Sequence, residues 1–204
     1  ETTLLEDCAT GKLKIRLLLS GETENITLHC AIEGLMDERV MLTFDGKYHI
    51  SPEFTFSNIQ CWCHETPNLY HAVLTLTDPS GEVLEEIPYD IGFRRFELKD
   101  GIMLLNGQRL VIHGVNRHEW NPGTGRAIGM EDMERAMETF RRNHINAVRT
   151  CHYPNQTPWY HLCDQSGIYM MDETNLESHG SWQKLGKIEP SWNVPGSLPQ
   201  WKDC

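Results

Sequence analysis

The sequence predicts a multidomain chain: a β-sandwich of immunoglobulin type over residues 1–95, followed over residues 96–204 by the first βα units of a parallel α/β domain, cut short. Three observations carry that expectation. Short β-rich runs recur about every ten residues from Lys14 to Arg94, separated by turn residues. After Phe96 the rhythm changes, and strand-like runs alternate with helical ones. Each of the last three strand-like runs also ends in a cluster of polar side chains, "NRHEW", "RTCHYPN" and "DETNLESHG".

The runs of the first part are "KIRLLLS", "ITLHCAIEG", "VMLTFDG", "EFTF" and "LYHAVLTLTD". In the second of them Ile26, Leu28, Cys30 and Ile32 alternate with more polar neighbours, the period of a half-buried strand. "DPSG", Asp78 to Gly81, is a hairpin turn with Pro at its second position. The transition is a hairpin, "ELKDGIMLLNGQRLVI", closed at Asn106-Gly107, a dipeptide suited to the left-handed conformations a two-residue turn requires.

Beyond it "RLVIHGVN" reads as a strand and "MEDMERAMETFRRN" as a helix, with Met130, Met133, Met137 and Phe140 on one side. Glu131, Asp132 and Glu134 near its start and Arg141 and Arg142 near its end suit the helix dipole. "INAVR" is the next strand. "TPWYHLCDQSG" is a helix with Thr157 as N-cap, Pro158 at its first position and Gly167 as its stop. "IYMMDE" is the third strand. Consecutive strands joined by helices pair in parallel through right-handed crossovers, so this is the start of a doubly wound sheet or of a (β/α)8 barrel. A complete barrel takes about 250 residues, whereas 105 follow Lys99. Residues 181–204, rich in Pro, Trp and Gly, read as a long loop.

Composition narrows the function. A net charge of −11, with no basic cluster longer than Arg94-Arg95 or Arg141-Arg142, argues against a nucleic-acid partner. No apolar run approaches the roughly 20 residues that span a bilayer, and the N-terminus has no signal-peptide pattern. Seven cysteines, an odd number without a regular spacing, point to free thiols in a reducing compartment, the cytoplasm. A start at Glu1 and an end at "WKDC" are what an excised piece of a longer protein would show. There is no G-x-S-x-G, no phosphate-binding glycine loop and no dinucleotide fingerprint.

In parallel α/β proteins ligands bind at the carboxyl ends of the strands, which puts the three polar clusters on one rim. Glu177 and His179, two residues apart on an extended loop, point the same way and could share a divalent cation; a solvated loop is the plainer alternative. Mg²⁺ prefers oxygen ligands, so an imidazole keeps Mn²⁺ in play. His118 and His152, ending neighbouring strands, could hydrogen-bond a polyhydroxylated ligand or be structural. Arg149 could hold a catalytic carboxylate ionised, or pair internally with Glu119 or Glu173. Asp172 reads as a hydrogen-bonded support of the rim. Cys61, Cys63 and His64 could suggest zinc, but no second pair at structural-site spacing follows. Cys151 beside His152 lacks an orienting third group for a thiol nucleophile.

At these residues the chain resembles a known family. "NAVRTCHYPNQTPWYHLCDQSGIYMMDE" is similar to the N-x-x-R-x-x-H-Y-P segment of glycoside hydrolase family 2, and "GVNRHEWNP" and "DETNLESHG" resemble its β-galactosidase branch. "PNLYHAVLTL" and "DIGFRRFELKDGIMLLNGQRLVIHGVNRHE" resemble the passage from that family's immunoglobulin-like domain into its TIM barrel. The resemblance implies a retaining β-galactosidase of the TIM-barrel type that acts on terminal β-galactosides and assembles as a homo-oligomer. It implies Glu177 and His179 as Mg²⁺ ligands, His118 and His152 as galactosyl contacts, and Arg149 as support of the nucleophile. It also implies that both catalytic glutamates lie beyond this chain. The family's acid/base follows an Asn in an "NE" pair, and no such pair occurs here. Because that acid/base is the third protein ligand of the Mg²⁺, the metal site is incomplete as well. The rival readings are a related family activity such as β-glucuronidase, and a non-catalytic sandwich that binds carbohydrate through an exposed aromatic, for which "CWCHETPNLY" offers Trp62.

Overall fold

The computed structural model describes residues 1–20 and 25–175, and the backbone of two short strands, Gln183–Lys184 and Lys187–Ile188, that pair antiparallel. By contacts the chain divides into two compact units, Glu1–Ile112 with Cys163–Ile168, and His113–Leu162 with the residues from Tyr169 onward.

The first unit is a β-sandwich. Its strands are β1 (Thr2–Leu4), β2 (Gly11–Leu13), β3 (Arg16–Leu17), β4 (Thr27–Ile32), β5 (Met36–Val40), β6 (Thr43–Phe44), β7 (His49–Ile50), β8 (Phe54–Phe56), β9 (Tyr70–Thr77) and β10 (Val83–Ile91). Antiparallel pairing gives one four-stranded sheet, β10-β9-β4-β5, and two three-stranded ones, β1-β2-β8 and β3-β7-β6. The alternation seen in "ITLHCAI" is what buries Leu28, Cys30 and Ile32 while leaving His29 and Ala31 half-buried. Leu28 pairs across to Leu76 on β9 and to Val40 on β5, so all three contribute to one core with Leu4, Leu13, Ile59 and Phe93. Gly11 is required there: a Cβ would lie 2.7 Å from the Phe93 ring.

"KIRLLLS" and "VMLTFDG" each read as one strand, but the first holds only the short β3, after β2 has ended at Leu13, and the second holds the end of β5 and then β6. At Ile15 the chain leaves the sheet of β2 and joins that of β7, its peptide N–H bonding to Ser51 Oγ at 2.9 Å instead of continuing the ladder. After Val40 the chain likewise leaves the sheet of β4 and joins β7 through β6. The turn at Asp78 to Gly81 forms as expected, with Asp78 Oδ1 accepting from Ser80 N at 2.8 Å and Glu82 N at 2.9 Å.

The expected hairpin is a three-stranded meander, β11 (Phe96–Lys99), β12 (Ile102–Leu105) and β13 (Gln108–Arg109). It turns twice, at Asp100-Gly101 (φ 52° and 76°) and at Asn106-Gly107 (φ 50° and 75°). The segment Cys163–Ile168 packs in this unit, where Asp164 O accepts the Trp62 indole N–H at 2.7 Å and Gly167 O meets His64 Nδ1 at 2.8 Å. Trp62 is 2% exposed, so it is no open platform for a sugar.

The second unit carries β14 (Gly114–Arg117), α1 (Met130–Arg142), β15 (Ala147–Thr150), α2 (Thr157–Ser166, of which the last four residues pack with the first unit) and β16 (Tyr169–Met171). The strands are parallel in the order β14-β15-β16, as the alternation with helices requires. "RLVIHGVN" is not a single strand: Arg109 ends β13, Leu110 to His113 lie outside any strand, and β14 starts at Gly114. Those four residues take the chain from an antiparallel meander into a parallel sheet, and no ladder can continue through that change.

In α1, Met133, Met137 and Phe140 are buried, but Met130 is exposed. A helical side chain lies over the turn before its own, and Met130, as first residue, has none. Asp132 returns to accept from Gly129 N at 3.2 Å and from Asn121 Nδ2 at 2.6 Å, which closes the helix start. Phe140 meets the fully buried Trp159 edge to face at 5.9 Å. No helix among the described residues is long and apolar enough to cross a membrane.

Candidate functional site

Because β14, β15 and β16 are parallel, their carboxyl ends share one edge, and the register aligns Asn116 with Arg149 and Arg149 with Met171. Arg149 is the hub of that edge. Its Nε pairs with Glu173 Oε1, and its Nη1 donates to Asn116 Oδ1 and to Cys151 Sγ, each at 3.3 Å. The other Glu173 oxygen, Oε2, is bonded to His152 Nδ1 at 2.9 Å. The expected internal partner of Arg149 is thus Glu173; Glu119 pairs with Arg117 at 3.7 Å.

Beneath this group the exits of β15 and β16 are stitched together. The hydroxyl of Thr150, which is fully buried, donates to Asp172 Oδ1 at 2.8 Å and accepts from Glu173 N at 2.9 Å. Tyr160, from α2, donates to Asp172 Oδ1 at 3.0 Å and accepts from Asn155 N at 3.1 Å. Asp172 is therefore a support of the rim. Burial, and then Asp172, push the Tyr160 phenol above its ordinary value, which keeps it a neutral donor.

The His152 hydrogen bond and the Arg149 charge hold the Glu173 carboxyl below its ordinary value of 4.5. With both oxygens engaged and the group ionised near neutral pH, Glu173 is an anchor and not a proton donor. His118 is exposed, and its ring meets His152 edge to face at 5.4 Å and 77°. The rim so built offers two imidazoles and a guanidinium around an accessible surface, a donor-rich arrangement suited to hydroxyl groups and to a carboxylate brought alongside.

Cys151, His152 and Glu173 place their ligand atoms within 4.8 Å of one another. Arg149 already donates to two of the three and the third, His152, bonds to Glu173, so the cluster is built around a guanidinium and not around a metal ion. Glu177 and His179 lie outside the described residues. At the other cysteine cluster, Cys61 Sγ donates to Cys8 O at 3.0 Å and Cys63 Sγ bonds to Thr66 Oγ1 at 3.1 Å, and no metal grouping forms there among the described residues.

Three contributors escaped the sequence reading: Arg117, Thr150 and Tyr160. Arg117 stood in "NRHEW" between residues that drew attention for their own chemistry. Tyr160 carried a usable signal, since a Tyr one turn into a helix that follows a polar loop can reach back to the strand end.

Two family models match the chain, "Glycosyl hydrolases family 2" over residues 1–94 and "Glycosyl hydrolases family 2, TIM barrel domain" over residues 96–204. Among curated proteins, the β-galactosidase large subunits of Lactobacillus acidophilus and Latilactobacillus sakei are each 49% identical to it, over 99% and 95% of this chain. A Clostridium acetobutylicum β-galactosidase is 46% identical over 99%. The chain spans 32%, 31% and 23% of those proteins. Among solved structures, the Parabacteroides merdae β-glucuronidase superposes with a TM-score of 0.78 at 24% identity, covering 85% of this chain and 22% of that one. Bacteroides uniformis β-glucuronidase 3 gives 0.72 at 27%, with the same coverage.

Proposed function

The chain belongs to glycoside hydrolase family 2, and from that premise we propose that it is part of a longer, cytoplasmic and homo-oligomeric β-galactosidase. That enzyme hydrolyses terminal non-reducing β-D-galactosides of the lactose type with retention. The observation that carries the reading is the grouping of Arg149, Glu173 and His152, with His118 against it, at the carboxyl edge of β14, β15 and β16. Relatives 49% identical over 95–99% of this chain bear the β-galactosidase name, which supports the substrate class.

Retaining glycosidases place two carboxyl groups about 5–5.5 Å apart, one as nucleophile and one as acid/base. In our reading both are supplied by the longer enzyme, and this chain supplies the surroundings. His118 and His152 hydrogen-bond the galactosyl hydroxyls. Arg149, fixed on Glu173, keeps the nucleophile ionised. Glu177 and His179, a carboxylate and an imidazole, form a donor pair that suits Mg²⁺ or Mn²⁺, with the acid/base carboxylate as third protein ligand. A divalent cation held by them would supply positive charge to the site. The chain by itself is catalytically inactive on this account.

The β-glucuronidase reading is favoured only by the solved structures, whose 24–27% identity speaks to the fold. Assaying the longer enzyme with matched chromogenic β-galactoside and β-glucuronide decides between them. We expect the galactoside to have the higher kcat/KM; preference for the glucuronide would refute the reading.

A further inference from the structure

The residues on either side of His118 reach across to the residues on either side of His152. Arg117 O accepts from Cys151 N at 2.9 Å, and Arg117 Nη1 donates to Asn155 Oδ1 at 2.6 Å. Glu119 N donates to the Tyr153 hydroxyl at 3.0 Å, and Glu119 Oε1 accepts from Gln156 N at 3.0 Å. The Arg117 guanidinium lies 3.6 Å from the centre of the Trp159 ring, and both charged side chains are 10% exposed. Two ionised groups withdrawn from water at this depth are costly unless paired and hydrogen-bonded, and here Arg117 bonds Asn155, Glu119 accepts from Gln156, and the two face each other at 3.7 Å. An arrangement that only filled space would be met more simply by apolar side chains.

We propose that Arg117 and Glu119 are a positioning pair that clamps the His152 segment onto the end of β14 and so sets the edge-to-face geometry of His118 and His152 for sugar binding. Neither touches the substrate; each acts through the two imidazoles. The inference rests on the galactosidase reading for its consequence in catalysis. The chemistry explains the residue types. A planar guanidinium stacks flat on Trp159 while an in-plane N–H bonds Asn155, whereas a lysine ammonium has no plane to stack. The Glu119 carboxylate pairs with Arg117 and accepts from the Gln156 peptide, whereas a carboxamide loses the charge and keeps only the weaker neutral bond.

The test uses the longer enzyme with Arg117→Lys, Glu119→Gln, His152→Ala and the double variant Glu119→Gln/His152→Ala. The first two are expected to raise KM for a β-galactoside and weaken galactose binding, measured by calorimetry, by roughly 10-fold or more, with a smaller change in kcat. In the His152→Ala background Glu119→Gln should cost less than it does alone, because one of its two routes to the sugar is already gone. If Arg117→Lys and Glu119→Gln stay folded and leave KM and galactose affinity unchanged, or if the two replacements act additively in the double variant, the proposal fails. Should Glu119→Gln not fold, Arg117→Lys alone decides it. If the unaltered enzyme hydrolyses no β-galactoside, the functional reading falls instead. The clamp is then read from the imidazole NMR signals of His118 and His152, which Arg117→Lys must shift if it exists and leave in place if it does not.

Discussion

His29 on β4 and His152 after β15 each hold a carboxylate, at 2.6 Å to Asp37 and 2.9 Å to Glu173. In the sandwich the pair is exposed, with Asp37 77% open to water, and such pairs contribute little. At the strand ends Glu173 is 22% exposed and also gripped by Arg149, which is bonded in turn to Asn116 and Cys151. The same pairing of imidazole and carboxylate is thus a solvated surface contact in one unit and a fixed element of the strand-end cluster in the other. The sandwich keeps its charge outside an apolar core, Lys12–Glu53 and His29–Asp37 among its outer pairs. The βα unit draws charge inward, as far as Arg117 and Glu119.

That contrast can be broken from either side, and replacing Arg149 by Ala in the longer enzyme should have the largest effect. We expect kcat for a β-galactoside to fall roughly 100- to 1000-fold, the range for losing a preorganised charge-stabilising donor; steady-state kinetics read it directly. In the sandwich the corresponding blow is to the core. Leu28→Ala should destabilise this chain by about 2–5 kcal/mol in urea unfolding, because Leu28 is fully buried between β5 and β9.

Smaller effects follow from a turn and from pH. Gly107→Ala places a Cβ at φ 75° and should cost about 1 kcal/mol in the same unfolding assay. Glu173 titrates below 4.5 in the folded chain, so the stability its partners confer is complete above its unfolded value and is lost as the pH falls through the folded value. Glu173→Gln should therefore flatten the decline of stability as the pH falls below the ordinary carboxyl value. The decline will not vanish, because Asp78 in the sandwich is lowered too, by the Ser80 hydroxyl and by turn N–H groups. Smallest of all, His29→Ala should leave both activity and stability unchanged within error, and a clear loss would undo the contrast between the two pairs.

The sequence disclosed much of this because local periodicity reports which face of an element is buried. "ITLHCAI" told of the core through its alternation, and the βα order after Phe96 told of parallel strands, hence of a shared edge for Arg149 and His152. What stayed hidden depends on partners distant along the chain. Nothing local in "KIRLLLS" marks Ile15 as the residue where the strand changes sheets, since Ser51 makes that bond from 36 residues away. The choice of Glu173 over Glu119 for Arg149 turns on the register of β16 against β15, which no spacing along the chain reports. Arg117 was legible as a residue but not as a clamp, because its ring partner Trp159 sits 42 positions on in α2.

The account rests on this chain carrying one part of a galactosidase site, the sugar-binding rim without the catalytic carboxyl pair. Initial rates of chromogenic β-galactoside hydrolysis by the purified 204-residue chain and by the longer enzyme, side by side, test that most directly. We predict turnover by the longer enzyme and none by the chain above a buffer blank. Turnover by the chain alone, at a rate that Arg149→Ala removes and contaminating enzyme does not explain, would contradict it.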